Sequence, residues 1–320
     1  MEALTPTMES PRREPAGPVL AYLAALLGLA ALKVLLGFVS VPEALVMPMT
    51  LAVTVLFVTV PVYALFRAAA VSWTWKLGLA LVLGGLSVHV GLQLLGAFVL
   101  QGQGLAGAVT LALRDVGFFT WCTGLGAMLA SMLREKNLLI PVSIFLAGFD
   151  IFLVLTPLGP VKQILESRPE IPAAMALNVP KVASQATGGA ATPFAIIGPA
   201  DFVFMAMFFI ALFKFEMNAR STAISLAPAI LAYLVLTVWL GPIPLLVPIG
   251  LTVLFVNWKQ FKLNLEEWAS TALVAVMAAG LIWWGATRPK PPAEPLPGEP
   301  GQAPRESVGS PAPELPAESR

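Results

Sequence analysis

The chain has 320 residues, 58% of them hydrophobic and only 12% charged, with a net charge of +1 and a mean hydropathy of +0.83. Soluble domains carry about twice that charged fraction, so the composition excludes an ordinary soluble domain, and no basic cluster supports a nucleic-acid partner. The single cysteine, Cys122, excludes an internal disulfide and a cysteine-built metal cage.

Residues 1–17, "MEALTPTMESPRREPAG", form a polar, Pro-rich N-terminal segment. No small-residue cleavage site follows a short apolar core, so the first apolar run is read as a retained span and not as a signal peptide. Nine apolar runs then follow, roughly 18–40, 43–66, 74–100, 107–133, 138–158, 192–214, 219–240, 242–257 and 267–286. They are continuous and do not alternate apolar with polar, which argues against a β-barrel. The expected fold is an all-α polytopic membrane protein with about nine transmembrane helices, its membrane domain covering 18–286.

Lys33, in the first run, is expected to snorkel toward the outer interface. His89, in the third, has no cysteine or acid cluster beside it and is read as a satisfied interior histidine, not a metal ligand. Arg114 and Asp115 lie near the start of the fourth run and are expected to mark a helix end at the interface. The long loop 159–191 contains the apolar stretch Ile171 to Ala183, expected to lie on the membrane surface or to plug a site. Its "SQATGGAATP" (Ser184 to Pro193) lacks the Lys-Ser/Thr of a P-loop and is read as a flexible entrance to the sixth span. The eighth run, "GPIPLLVPIGLTVLFVNW", is short and Pro-rich and is expected to begin as unwound backbone, which a membrane tolerates only where protein or a water cavity covers it. From residue 287 to 320 the tail is rich in Pro, Glu and Gly and is read as disordered. No internal repeat is visible.

Short-loop cations set the expected orientation. Arg12 and Arg13, Arg67 and Lys76, Arg134 and Lys136, Lys214 and Arg220, and Lys259 and Lys262 occupy every second connection. The positive-inside rule then places the N-terminus in the cytoplasm and the C-terminal tail outside. With no organelle signal visible, the expected location is the cytoplasmic (inner) membrane.

Two acids stand inside apolar runs, Asp150 in the fifth and Asp201 in the sixth. A charge at mid-bilayer costs about 3 kcal/mol on insertion scales, so each calls for a use. Asp150 lies about 12 residues past the cytoplasmic start of its span, or about 18 Å at the helical rise. Asp201 lies about 9 residues past the outer start of its own, or about 13 Å from the other side. In a core about 30 Å thick, antiparallel neighbours then bring both acids near one plane. Two close carboxylates cannot both ionise; one keeps its proton while the other acts as base. Such a pair activates water against a peptide carbonyl, and it titrates as a unit. A proton relay of a transporter is the alternative use of the same acids.

At these residues the chain resembles a known family. "FDIFLVLTPLGPVKQILES" is similar to the sixth-helix region of presenilins, in which an aromatic–Asp pair precedes a short apolar run, a Pro and a Gly-Pro. "IGPADFVF" resembles the GxGD motif that carries the second aspartate of the presenilin and signal-peptide-peptidase family. "GPIPLLVPIG" resembles the family's Pro-Ala-Leu segment, with Pro244, Leu245 and Leu246 at the matching positions. The resemblance covers about residues 138–257, in the family's order, and implies a prokaryotic-type, presenilin-like intramembrane aspartyl protease. It implies catalytic Asp150 and Asp201, close helix packing at Gly198, and substrate alignment by Pro244, Leu245 and Leu246. Its substrates would be transmembrane helices or remnant signal peptides drawn from the lipid bilayer, and no metal or other cofactor is implied.

The chain departs from the family pattern at several places. Phe149 stands where the family usually has Tyr. The second motif reads Gly198-Pro199-Ala200-Asp201, with Ala in place of the Gly beside the acid. Pro228-Ala229-Ile230 offers a second match to the Pro-Ala-Leu segment. Four spans precede the first aspartate where the family has five, and one extra span follows the Pro-rich segment. The expected orientation is that of signal peptide peptidases and not of presenilin. The Ala200 departure leaves a catalytically silent, helix-binding homologue as a further alternative.

Overall fold

The structure is a computed structural model that describes residues 16–100, 104–167, 174–184, 193–241 and 243–289. Arg12 and Arg13, most of the Gly-rich stretch before Pro193 and the tail from residue 290 lie outside the described residues. Helices run over α1 (Ala16–Leu36), α2 (Glu43–Ala69), α3 (Trp75–Leu94, prolonged by a π-type turn at Leu95–Val99), α4 (Gly104–Met132), α5 (Leu139–Leu155) and α6 (Pro160–Ser167). Four more follow: α7 (Pro199–Lys214), α8 (Ala219–Leu240), α9 (Leu246–Asn257) and α10 (Leu265–Thr287). Among the described residues, α1, α2, α3 with its π-type turn, α4, the stretch Lys136–Ile164 that contains α5, α8 and α10, seven in all, are long and apolar enough to cross a bilayer. The chain is an all-α, multi-pass membrane protein, because only helices satisfy their own backbone groups where no water does.

The sixth and eighth apolar runs are not helical throughout. Residues Pro193–Ile197 form an extended strand, β4, and the helix begins only at Pro199. Proline at the first helical position has no N–H to lose there and disfavours a helical residue before it. The eighth run does begin as non-helical backbone, and α9 starts at Leu246. At 16 and 12 residues, α7 and α9 fall short of the roughly 20 residues a full helical crossing needs.

Strand β4 pairs antiparallel with β2 (Leu177–Pro180), with Leu177 opposite Ile197. Strand β3 (Ala183–Ser184) pairs parallel with β1 (Ser40–Val41), in the α1–α2 connection. The described part of the long loop is therefore folded against the bundle, with Leu177, Val179 and Val182 buried and Val182 N–H donating to Thr50 Oγ1 at 3.1 Å.

Two expectations about charges are corrected. Arg114 and Asp115 do not end a helix; α4 runs unbroken through them and both are buried. Lys33 does not snorkel outward but turns in to Asp115. A buried ion pair is tolerated where its remaining polar groups find partners, and Gln93 of α3 supplies one. His89 is buried as expected, its Nδ1 3.3 Å from the Arg114 carbonyl.

Glycines bring helices together where no side chain would fit. A β-carbon at Gly85 would stand 2.5 Å from Trp121 N, and one at Gly124 would stand 2.7 Å from the Gly78 carbonyl, so α3 and α4 touch backbone to backbone. Helix α7 is buried nearly all round, from Phe202 to Leu212, as expected of a helix with no polar face. It packs chiefly against α4 and α2, while α5 is held between α9 and α10.

The cation-bearing connections gather at one end of the bundle. Lys214 Nζ donates to the carbonyls of Ala130, Ser131 and Leu133 at the end of α4. Asn137 Nδ2 donates to the Lys262 carbonyl, and Asn218 N–H to Asn257 Oδ1. These contacts fix a common floor for α5, α7 and α9. Asp150 lies about 13 residues above it along α5, Asp201 about 13 along α7, and Leu246 about 11 along α9, which is about 17–20 Å in each case. Three helices thus bring the two acids and the start of α9 to one level.

Candidate active site

Asp150 lies in the second half of α5, and its part-buried Oδ2 accepts the Leu246 N–H at 2.9 Å. Leu246 is the first residue of α9, so the carboxylate caps that helix and meets the positive end of its dipole. The local sequence explains the position. Gly241, with φ +82, closes α8 in a conformation that side chains resist. Pro244 follows in the non-helical lead, and Pro248 sits in the first turn of α9, where a missing N–H costs nothing.

Asp201 is the third residue of α7, and its Oδ2 accepts the Gly198 N–H at 3.1 Å. This is half a capping box; the return bond needs an N-cap side chain, which glycine lacks. The second acid therefore also sits at a helix N-terminus. The Asp150 carboxyl lies within electrostatic range of Asp201, yet each accepts from a backbone amide and not from the other. Among the described residues neither acid is in an ion pair. Helices α5 and α7 do not pack along one another, and α9 touches both.

The flanking residues divide by what they touch. Gly198 has an ordinary extended backbone (φ −70), and a β-carbon there would meet Asp201 Oδ2 at 3.5 Å, an ordinary contact. The close packing expected at Gly198 is found at Gly126 of α4 instead, where a β-carbon would stand 2.6 Å from the Val203 carbonyl. Gly198 serves through its N–H. Pro199 opens α7, and Ala200 is exposed. Phe149 points away into an aromatic ladder, stacked between Phe145 (centroids 5.7 Å) and Phe152 (6.4 Å). Pro244, Leu245 and Leu246 are buried, so this segment meets the site through backbone and not side chains.

Two further residues border the acids with no sequence signal to announce them. Tyr233 of α8 lies within electrostatic range of Asp150. Cys122 of α4, fully buried, directs its Sγ at the Pro199 carbonyl, 3.8 Å away. A cavity of about 600 Å³ lies near Trp73, Ser131 and Lys214, at the far end of α7, and is separate from the acids. Comparison with known proteins returns no match: no family model, curated protein or solved structure is similar to the chain.

Proposed function

We propose that the chain is a presenilin-like intramembrane aspartyl endopeptidase with Asp150 and Asp201 as its catalytic pair. The observation that carries this reading is two carboxyl groups at one level, within electrostatic range, with no cation on either among the described residues. In a low-dielectric setting such a pair holds one proton between its members. The ionised carboxylate takes a proton from water, whose oxygen attacks the scissile carbonyl, while the protonated member donates to the carbonyl oxygen. Collapse of the tetrahedral intermediate breaks the C–N bond, and the departing nitrogen takes a proton from the pair. The N-termini of α7 and α9 favour negative charge on the pair throughout. No cofactor enters the scheme.

A substrate helix must open before it is cut, because its amides are bound in their own hydrogen bonds. Strand β4, which runs into Gly198 and Asp201, and the non-helical lead to Leu246 offer backbone groups to an extended peptide. Pro244, Leu245 and Leu246 align the opened segment with the acids. In this scheme the cation-rich end faces the cytoplasm, and β4–α7 and the lead into α9 each complete a crossing, nine in all. The C-terminal tail then lies outside, and substrates are type II membrane segments, remnant signal peptides among them. The test uses purified protein in detergent with a labelled single-span peptide. Wild type is expected to cut it, with a bell-shaped pH profile since the pair needs one proton, and Asp150→Ala and Asp201→Ala to leave it intact. Equal cleavage by all three, or by none across varied peptides and pH, sinks the protease reading.

One observation favours a second reading. Helices α7 and α9 are short and begin inside the bundle at acidic groups, an arrangement that secondary transporters use for their ions. A proton-coupled transporter would show a pH-gradient-driven flux in proteoliposomes, lost in the same two variants, with no cleavage. A silent helix-binding homologue would retain the peptide and do neither.

A further inference from the structure

A second group of charges lies away from the two acids, where α1, α3 and α4 meet. The Lys33 ammonium bonds Asp115 Oδ2, and Arg114 Nε and Nη2 bond Oδ1 of the same carboxylate at 3.2 and 2.9 Å. Arg114 Nη1 donates to Gln93 Oε1 at 2.8 Å. Arg114 and Asp115 are 4% and 5% exposed, whereas the Lys33 side chain keeps 17% of its surface open.

The charges do not balance. Two cations share one carboxylate, and no other acid of the described residues is within ion-pair distance. The hydrogen bonds do not balance either. One of the ammonium's three donors and three of the guanidinium's five are used, which leaves four N–H groups without an acceptor among the described residues. Buried charges in a membrane are kept only when paired, so the cluster lacks one anion rich in acceptor oxygens. Lys33 stands about 3 residues below the end of α1, and Gln93 about 6 below the end of α3's π-type turn, which is about 5–9 Å. A lipid phosphate reaches that depth. The Lys33 side chain is the partly open member of the cluster, so its ammonium is the group an outside anion can reach.

We propose that Lys33, with the buried Arg114 behind it, forms a binding site for a phosphate oxyanion, carried by the headgroup of an anionic membrane lipid. The phosphate takes the ammonium's unused N–H groups on the open side of Lys33 and cancels the excess charge of the cluster, while Asp115 keeps its place between the two cations. The site is independent of the protease reading.

Native mass spectrometry of the full chain in neutral detergent tests it, with phosphatidylglycerol, phosphatidylcholine and inorganic phosphate as probes. Wild type is expected to retain one phosphatidylglycerol and to hold phosphatidylcholine about tenfold more weakly. Lys33→Met is expected to weaken phosphatidylglycerol about tenfold, Lys33→Arg to keep it, and Lys76→Met, a cation at the other end of α3, to change nothing. Asp115→Asn is expected to tighten binding, since it removes the competing anion; a purely structural ion pair predicts no gain. Displacement of the lipid by millimolar inorganic phosphate reassigns the site to the free ion and overturns the lipid source. Equal retention of the two lipids by wild type, or equal phosphatidylglycerol binding by wild type and Lys33→Met, overturns the site. The wild-type comparison needs no variant, so a misfolded substitution does not shield the proposal.

Discussion

Asp201 is bound to its own helix by the Gly198 N–H, 3.1 Å away, and that single donor can be removed by one substitution. The backbone at 198, φ −70 and ψ 160, is one that proline adopts freely. Residue 197 before it is already extended in β4, as a following proline requires. Gly198→Pro is therefore expected to leave thermal stability in detergent close to wild type while freeing Asp201. A hydrogen bond to a charged group is worth about 1.5–3 kcal/mol, so under the proposed protease function peptide cleavage should fall about ten- to a hundredfold. Gly198→Ala keeps the N–H and places its methyl in ordinary contact, and should cut nearly as fast as wild type. The reverse ranking of the two variants would show that glycine is needed at 198 for space. The two acids were legible in the sequence because a carboxylate in an apolar run has few bland explanations. Leu246 N–H, Tyr233 and Cys122 were not, because only the packing of α8, α9 and α4 brings them to the acids.

At the scale of elements, α3 and α4 depend on which of two adjacent glycines faces the partner. A β-carbon at Gly84 meets nothing within 4 Å, whereas at Gly85 it stands 2.5 Å from Trp121 N and 2.9 Å from the Gly117 carbonyl. Gly85→Ala is expected to push the helices apart and to cost about 1–3 kcal/mol, the usual range for overpacking. Gly84→Ala should be neutral or stabilising by about 0.5–1 kcal/mol, as for any glycine replaced inside a helix. Thermal unfolding of both variants in one detergent checks the pair, and equal melting temperatures would contradict the backbone contact. The helices themselves were legible because long apolar runs leave few other solutions, and their ends moved by a few residues. The start of α7 was harder to read, since "TPFAIIGPADFVF" is apolar on both sides of its Gly-Pro and a short apolar run does not separate strand from helix. Arg114 and Asp115 misled for another reason. Their charges suggested a helix end, while Lys33 and Gln93, distant in sequence, partner them inside the bundle.

The whole molecule turns on whether two short helices complete a crossing. Helix α7 is about 24 Å long and α9 about 18 Å, against a hydrocarbon core of about 30 Å. Each is preceded by extended chain, β4 for α7 and the Pro-rich lead for α9, and extended residues rise about 3.3 Å apiece. Five residues of β4 add about 16 Å, enough to bring the β4–α7 unit across. If both units cross, the bundle has nine passes and its ends lie on opposite sides. Introduced thiols read this directly, because the only native one, Cys122, is buried and does not label. Val39→Cys and Thr287→Cys should react with a membrane-impermeant maleimide on intact cells. Glu135→Cys and Ser221→Cys, at the cation-rich end, should react only after permeabilisation; all four positions are exposed. Reaction of the Ser221 thiol from outside would mean that β4–α7 does not cross, and the proposed water-activating pair would lose the level at which α5 and α7 hold it. Protection of Thr287 with the other three positions as expected would instead place α9 as a re-entrant segment, leaving Asp150 and Asp201 together but reversing the side on which the tail emerges.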